Sequence, residues 1–356
     1  MMARDLREEM RFVVDSGRVP GIVVAAGTSE RTAFLEACGH AQTLPTVEPM
    51  HASTMFDLAS VSKSVATATL AAVLAEQELL SEETPVADAI PELSNDAKGK
   101  ITLAELLTHT SGLAAWRALC ADAWEREAVI RRLLAEPLVR PPSTEREYSC
   151  LGFILLGLML ERIGGAPLDE LVRRTITGPL AMMDTTYCPS PALAARCAAT
   201  EVRAGRALPC RGEVHDENAN ALGGVSGNAG LFSTASDLSR FARMMLRGGE
   251  LDGARLMGKE AFRLLFTRDP SGPAGYHWRG WVGVAPDDAT SEVFSPQAFG
   301  HTGFTGTSLW CDPGQDLFVV CLTNGVHPKR ECLERIGEVR LAVYAAAREH
   351  VAGSRH

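Results

Sequence analysis

Residues 58–75 read LASVSKSVATATLAAVLA and carry a single charged side chain, Lys63. The other positions are Ala, Val, Leu, Ser and Thr. A helix of this composition is apolar nearly all round, so it belongs inside a core rather than on a surface. Any fold this chain adopts must wrap other elements round the segment. It must also accommodate the lysine. Burying an unpaired ammonium costs several kcal/mol, and a cation in the first turn opposes the helix dipole. Two local rules broken at one residue mark a functional position.

The choice of base sharpens the point. Of 35 basic residues only five are Lys, at positions 63, 98, 100, 259 and 329. Everywhere else the chain writes positive charge as Arg, which cannot give up its proton, whereas a desolvated Lys can. The net charge of −9 and the lack of a long basic run argue against nucleic acid as a partner. The longest apolar run, 151–160, is too short for a bilayer span of about 20 residues. The opening residues are charged and helical in pattern, without the apolar centre of a signal peptide, which points to the cytoplasm. Nine scattered cysteines without a CxxC read as free thiols in a reducing compartment. No HExxH or Cys/His cluster implies a metal, and no motif implies a cofactor.

With 356 residues the chain holds two domains, or one with an insertion. An amphipathic helix is expected at 2–16, then two strands at 19–27 and 32–39 forming a hairpin. Helical patterns dominate from about 101 to 185, with segments at 101–113, 121–136, 150–164 and 167–176. Residues 186–230 look irregular. A helix follows at 234–248, with Ser236 or Asp237 near its cap. Strands are expected at 278–285, 298–303, 306–312 and 316–324, and a last helix at about 329–350. Strands at both ends, helices between and helices at both termini predict an α/β (α+β) fold. One antiparallel sheet from the first and last parts is flanked by the terminal helices and interrupted by an inserted helical domain. The expected division is 1–58 with 225–356 for the sheet domain and 59–224 for the helical domain, with the site in the cleft between.

Ser60 stands three residues before Lys63 and shares its helix face. A serine needs an adjacent base to act as a nucleophile, and Lys63 is the candidate. Tyr148, one of four tyrosines, precedes the apolar helix at 150–164. It either packs there or relays protons between Ser60, Lys63 and a leaving group. His301 lies among small residues in GHTGFTG, on a strand whose backbone a substrate could approach as an added strand. His109 reads as a structural residue near the cleft. His215 and Asp216 sit in a loop expected beside it. GVSGN at 224–228 is one residue off the GxSxG nucleophile elbow and lacks its strand–turn–helix setting.

Taken together, SxxK, then Tyr-Ser-Cys, then His-Thr-Gly in this order resemble the serine β-lactamase and penicillin-binding-protein superfamily. The nearest likeness is to its class C-like branch of β-lactamases, D-alanyl-D-alanine carboxypeptidases, D-aminopeptidases and esterases. FDLASVSK at 56–63, ITLAELLTHTSGL at 101–113 and DLFVVCLTNGVHP at 316–328 extend the resemblance over about 19–340. It implies that Ser60 is acylated and that Lys63 is its base or proton carrier. It implies that Tyr148 activates the deacylating water, that His301 and Thr302 line the substrate strand with Gly303, and that the Ser60 and Phe304 N–H groups form the oxyanion hole. Two positions depart from the β-lactamase pattern. Cys150 stands where an Asn would donate to a substrate carbonyl, and a thiol does this poorly. His301 stands where a Lys would attract a carboxylate, and a neutral His does so weakly. Both turn the expectation from lactams towards a small ester, amide or peptide. The alternative is a silent relative that binds acyl or peptide ligands in the same cleft. The sequence leaves the oligomeric state open.

Overall fold

The structure is a computed structural model that describes residues 5–121, 125–267, 272 and 275–354. Its centre is a seven-stranded antiparallel sheet in the order β3–β2–β1–β12–β11–β10–β9. The first three strands are β1 (Gly21–Gly27), β2 (Thr32–Gln42) and β3 (Glu48–Pro49). The last four are β9 (Val282–Gly283), β10 (Phe299–Thr302), β11 (Ser308–Asp312) and β12 (Leu317–Thr323). A small sheet joins β4 (Phe56–Asp57), β6 (Leu231–Ser233) and β5 (Thr186–Tyr187), and β7 (Glu250–Leu251) with β8 (Ala254–Arg255) makes a hairpin.

β1 and β12 are buried along their whole length, as continuous apolar runs require. Their register sorts side chains to two faces. Val24 opposes Cys321 and Ala26 opposes Val319. This face packs on the N-terminal helix Leu6–Asp15 and the C-terminal helix Ile336–Gly353 through Leu6, Met10, Val13, Val339 and Val343. Both terminal helices therefore cover one face. On the other face, Ala25 opposes Val320, Val320 opposes Leu309, and Leu309 opposes His301. That face meets helix Ala235–Leu246 and the segment after Ser60 in a single large core. The register thus turns His301 towards the helical side of the molecule.

Helix Cys150–Gly164 matches its expected bounds, with Ser149 capping the Gly152 N–H and Gly165 in the left-handed region at its end. Other elements are shorter than the patterns imply. The N-terminal helix begins at Leu6, and residues 2–4 lie outside the described residues. The helix expected at 121–136 runs Arg126–Ala135, with 122–124 likewise outside. The helix expected at 101–113 stops at Leu107, because Thr108 bonds back to the Ala104 carbonyl and His109 turns left-handed to reach Ser149. The strand expected at 278–285 is only β9, since Gly280 in the left-handed region makes a tight Trp278–Trp281 turn. Helix Ala235–Leu246 is capped by Thr234 rather than by Ser236 or Asp237. The last helix starts at Ile336 after a 3₁₀ turn, Arg330–Arg335, and the first residue of that turn is held away by Glu201 and Glu217. Among the described residues no single helix is long and apolar enough to cross a membrane.

Candidate active site

The lysine segment is buried as its composition requires. Residues 63–74 are all buried, and Lys63 is 0% exposed. It is not a plain α-helix. Lys63–Ala68 forms a π-helical turn before Thr69–Glu76 continues as α-helix. The wider turn is held by the Thr69 N–H and hydroxyl, both bonded to the Ser64 carbonyl. Neighbours grip it through Thr67 on the Gly227 carbonyl and Ser64 on the Gly280 carbonyl. Such bulges recur at functional sites.

Ala59, just before Ser60, has φ +46°. A non-glycine residue held there stores about 1–3 kcal/mol of strain, which the surroundings must over-determine. They do so through Asp57. One carboxylate oxygen accepts from the Ala59 N–H at 2.8 Å and the other from the His215 N–H at 2.6 Å. The corner presents Ser60, half-buried, with its hydroxyl 3.0 Å from the Lys63 ammonium.

Lys63 uses all three of its N–H groups. They reach Ser60 Oγ at 3.0 Å, the Asn228 carbonyl at 2.9 Å and Cys150 Sγ at 3.6 Å. Its Nζ also lies 5.1 Å from the Tyr148 ring centre and 5.8 Å from that of Phe153. Burial works against the ammonium, but Cys150 and then Tyr148 outweigh it, and the Lys63 pKa stands above the ordinary lysine value. Desolvation acts on Lys63 in the direction expected of a buried lysine, and these polar neighbours act against it.

Tyr148 sits between His109, at 4.6 Å between ring centres, and His301, at 6.0 Å. His109 accepts the Ser149 N–H at Nδ1 and supports the tyrosine turn from below. Burial, aided by the Lys63 charge, pushes His301 down to about 3. It is a neutral ring whose Nδ1 donates to the Thr302 carbonyl at 2.8 Å. β9 pairs with β10 only at Phe299 and Gly300, so the β10 edge at His301 and half-buried Thr302 is open on that side. Gly303 is required at the next position. A Cβ there would lie 2.2 Å from Thr307 Oγ1 and 2.3 Å from the Leu58 carbonyl.

Ser60, Tyr148, Cys150 and Phe304 border one cavity of about 360 Å³. Among the described residues, neither the Ser60 nor the Phe304 N–H is used in a hydrogen bond within the protein. A larger cavity of about 560 Å³, between residues 169–178 and 182–187, is lined by no serine or lysine among the described residues and shares no lining residue with the first. Sequence reasoning missed several residues of the wall. Asn228 reaches Lys63 from the GVSGN loop dismissed as an elbow, and only its backbone carbonyl does so. Arg330 and Trp116 also line the cavity, with Glu217. Arg330 is bound to Glu201 and Glu217 at 2.6 and 3.0 Å. His215 and Asp216 line it too, as the loop reading allowed.

Known proteins share both sequence and architecture with this chain. A family described as Beta-lactamase matches residues 3–343. A protein of Escherichia coli K12, provisionally named a D-alanyl-D-alanine carboxypeptidase, is 31% identical over 79% of this chain and 71% of its own. A Bacillus subtilis protein named N-acetylmuramyl-L-alanine amidase is 32% identical over 78% and 69%. Among solved structures, EstCE1, titled a hydrolase with promiscuous acyltransferase activity, superposes with a TM-score of 0.73 at 24% identity over 96% of this chain and 97% of its own. A class C beta lactamase from Rhodobacter sphaeroides does so at 0.72 and 21% over 98% and 99%. The order of motifs, the antiparallel sheet with its helical companion and these matches agree: the chain belongs to the beta-lactamase family.

Proposed function

We propose that the protein is a serine hydrolase that cleaves a small ester or amide through an acyl-enzyme on Ser60. One observation carries the reading. A serine hydroxyl lies 3.0 Å from a fully buried lysine, at a strained corner that opens on a cavity. Tyr148, whose ring centre lies 5.1 Å from Lys63 Nζ, is the group that takes the Ser60 proton, with the Lys63 ammonium 3.0 Å from Ser60 Oγ holding the hydroxyl in place. Ser60 Oγ then adds to the substrate carbonyl, and the new oxyanion lies against the Ser60 and Phe304 N–H groups. Tyr148 returns the proton to the leaving group. It next takes a proton from a water that attacks the acyl carbon, and returns that proton to Ser60 Oγ as the bond between Oγ and the acyl carbon breaks. His301, Thr302 and Gly303 offer an open strand edge to the substrate. Residues 1–58 with 225–356 supply one wall of the cleft and 59–224 the other. The eight unpaired described cysteines fit work in a reducing compartment such as the cytoplasm.

Neutral His301 and the thiol of Cys150 favour an ester or small peptide over a lactam, since neither attracts a carboxylate nor donates strongly to a lactam side-chain amide. Cys150 also supports a second reading, acylation without release, because it replaces a group that helps orient the lysine. Pre-steady-state hydrolysis of p-nitrophenyl butyrate separates the two. A burst followed by steady turnover, both lost in Ser60→Ala, is expected. A burst without turnover would favour the binding role, and a reaction independent of Ser60 would overturn both.

A further inference from the structure

Arg340 stands on the C-terminal helix, outside the cavity, and none of the motifs includes it. Its Nη2 donates to the Gly303 carbonyl at 2.7 Å and the Thr307 carbonyl at 3.0 Å. Among the described residues this guanidinium bonds to backbone carbonyls and pairs with no carboxylate, and its Nε is buried without a partner. The Gly303 carbonyl and the Phe304 N–H belong to one peptide group. A cation hydrogen-bonded to a peptide oxygen draws electron density from its nitrogen and makes the N–H a stronger donor.

We propose that Arg340 is a positioning residue of the oxyanion hole, acting through the Gly303–Phe304 peptide. It polarises the Phe304 N–H towards the negative oxygen that forms during acyl transfer. The inference rests on the serine-hydrolase reading of the site. It does not reduce to holding the turn in place, because the turn is already pinned by neutral bonds. Gly303 N–H donates to the Thr307 carbonyl at 2.7 Å, Thr305 Oγ1 to the Asp57 carbonyl at 2.7 Å and Thr307 Oγ1 to the Leu58 carbonyl at 2.9 Å. Thr323 Oγ1 donates to the Gly306 carbonyl at 3.0 Å. Among the described residues the Ser60 peptide has no comparable cation, since there the Ala59 carbonyl accepts only the Ser62 N–H at 3.1 Å. The two oxyanion donors are therefore unequal, and the charge feeds the Phe304 side.

The test compares wild type, Arg340→Met, Arg340→Lys and Thr323→Val. Steady-state kinetics use p-nitrophenyl butyrate. Affinity is measured for phenylboronic acid, whose boron takes Ser60 Oγ as a fourth ligand while the serine proton leaves to the base, giving a tetrahedral oxygen in the hole. Thermal midpoints are recorded alongside. Arg340→Met is expected to lower kcat about tenfold with KM within about twofold, and to weaken the boronate by a similar factor. Arg340→Lys is expected to recover part of both. Thr323→Val, which removes a neutral bond from the same turn, is expected to lower the thermal midpoint with kcat near wild type. Should Arg340→Met fail to fold, the loss in Arg340→Lys relative to Thr323→Val decides. Wild-type kcat and boronate affinity in the Arg340 variants would overturn the inference, and so would an equal loss in Thr323→Val. If wild-type turnover and boronate binding survive Ser60→Ala, the reading of the site fails instead.

Discussion

At the scale of single residues, the site is a study in how neighbours set charge. Lys63 is buried completely, yet three acceptors and the Tyr148 ring keep it an ammonium. Lys63→Arg keeps the charge but replaces a compact ammonium held by Ser60, Asn228 and Cys150 with a larger planar guanidinium. It is expected to lower kcat by about 10³-fold or more, as measured by ester hydrolysis. Cys150→Asn places an amide beside the lysine and is expected to raise turnover of a β-lactam probe such as nitrocefin, which steady-state absorbance would read. His301 illustrates the opposite shift. Its folded pKa is about 3 against 6.5 for the free group, and that of His277 is about 4. Between these values the unfolded chain binds protons that the folded chain refuses, so stability rises with pH across the window and is lost as pH falls from 6.5 towards 3. His301→Asn should flatten that loss, as urea midpoints at about pH 7 and about pH 5 would show.

At the scale of elements, close approach decides where the lysine's partners lie. The Gly227 Cα packs on Gly157 of helix Cys150–Gly164, and a Cβ on Gly227 would lie 2.1 Å from the Phe153 carbonyl. This contact, with Thr67 bonded to the Gly227 carbonyl, brings the Asn228 carbonyl onto Lys63. Gly227→Ala is expected to cost about 1–3 kcal/mol in chemical denaturation and to lower kcat, because the loop must lift away from the helix. The π turn at Lys63–Ala68 is another such compromise, made where Ser64 and Thr67 bond outward to separate loops.

At the scale of the whole molecule, the protein is a beta-lactamase-related serine hydrolase whose sheet joins the two ends of the chain. β1 pairs with β12 over six residue pairs, from Ile22–Thr323 to Gly27–Phe318. The cavity beside Ser60 carries Asp216, Glu217 and Arg330, and the guanidinium is already shared by Glu201 and Glu217. An acyl group bearing a carboxylate would meet acid there without a free partner among these residues. Kinetics with paired p-nitrophenyl esters are expected to give a kcat/KM at least about tenfold higher for butyrate than for the hemisuccinate.

Much of this is legible in the sequence. An apolar run with one lysine demanded a buried helix, and it is buried. The pattern and cap of Cys150–Gly164 marked its bounds, because periodicity, Ser149 and Gly165 act within a few residues. The order of the three motifs identified Ser60, Lys63, Tyr148 and His301 as one constellation, and the cavity and ring contacts gather them. Periodicity overran the true ends at Leu107 and at the Trp278–Trp281 turn, where the backbone obeys partners far along the chain. The charge on Lys63, the carbonyl of Asn228, the ion pairs of Arg330 and the reach of Arg340 to Gly303 were decided in three dimensions. Each depends on a contact between residues distant in sequence, and backbone carbonyls and salt-bridge partners leave no local pattern to read.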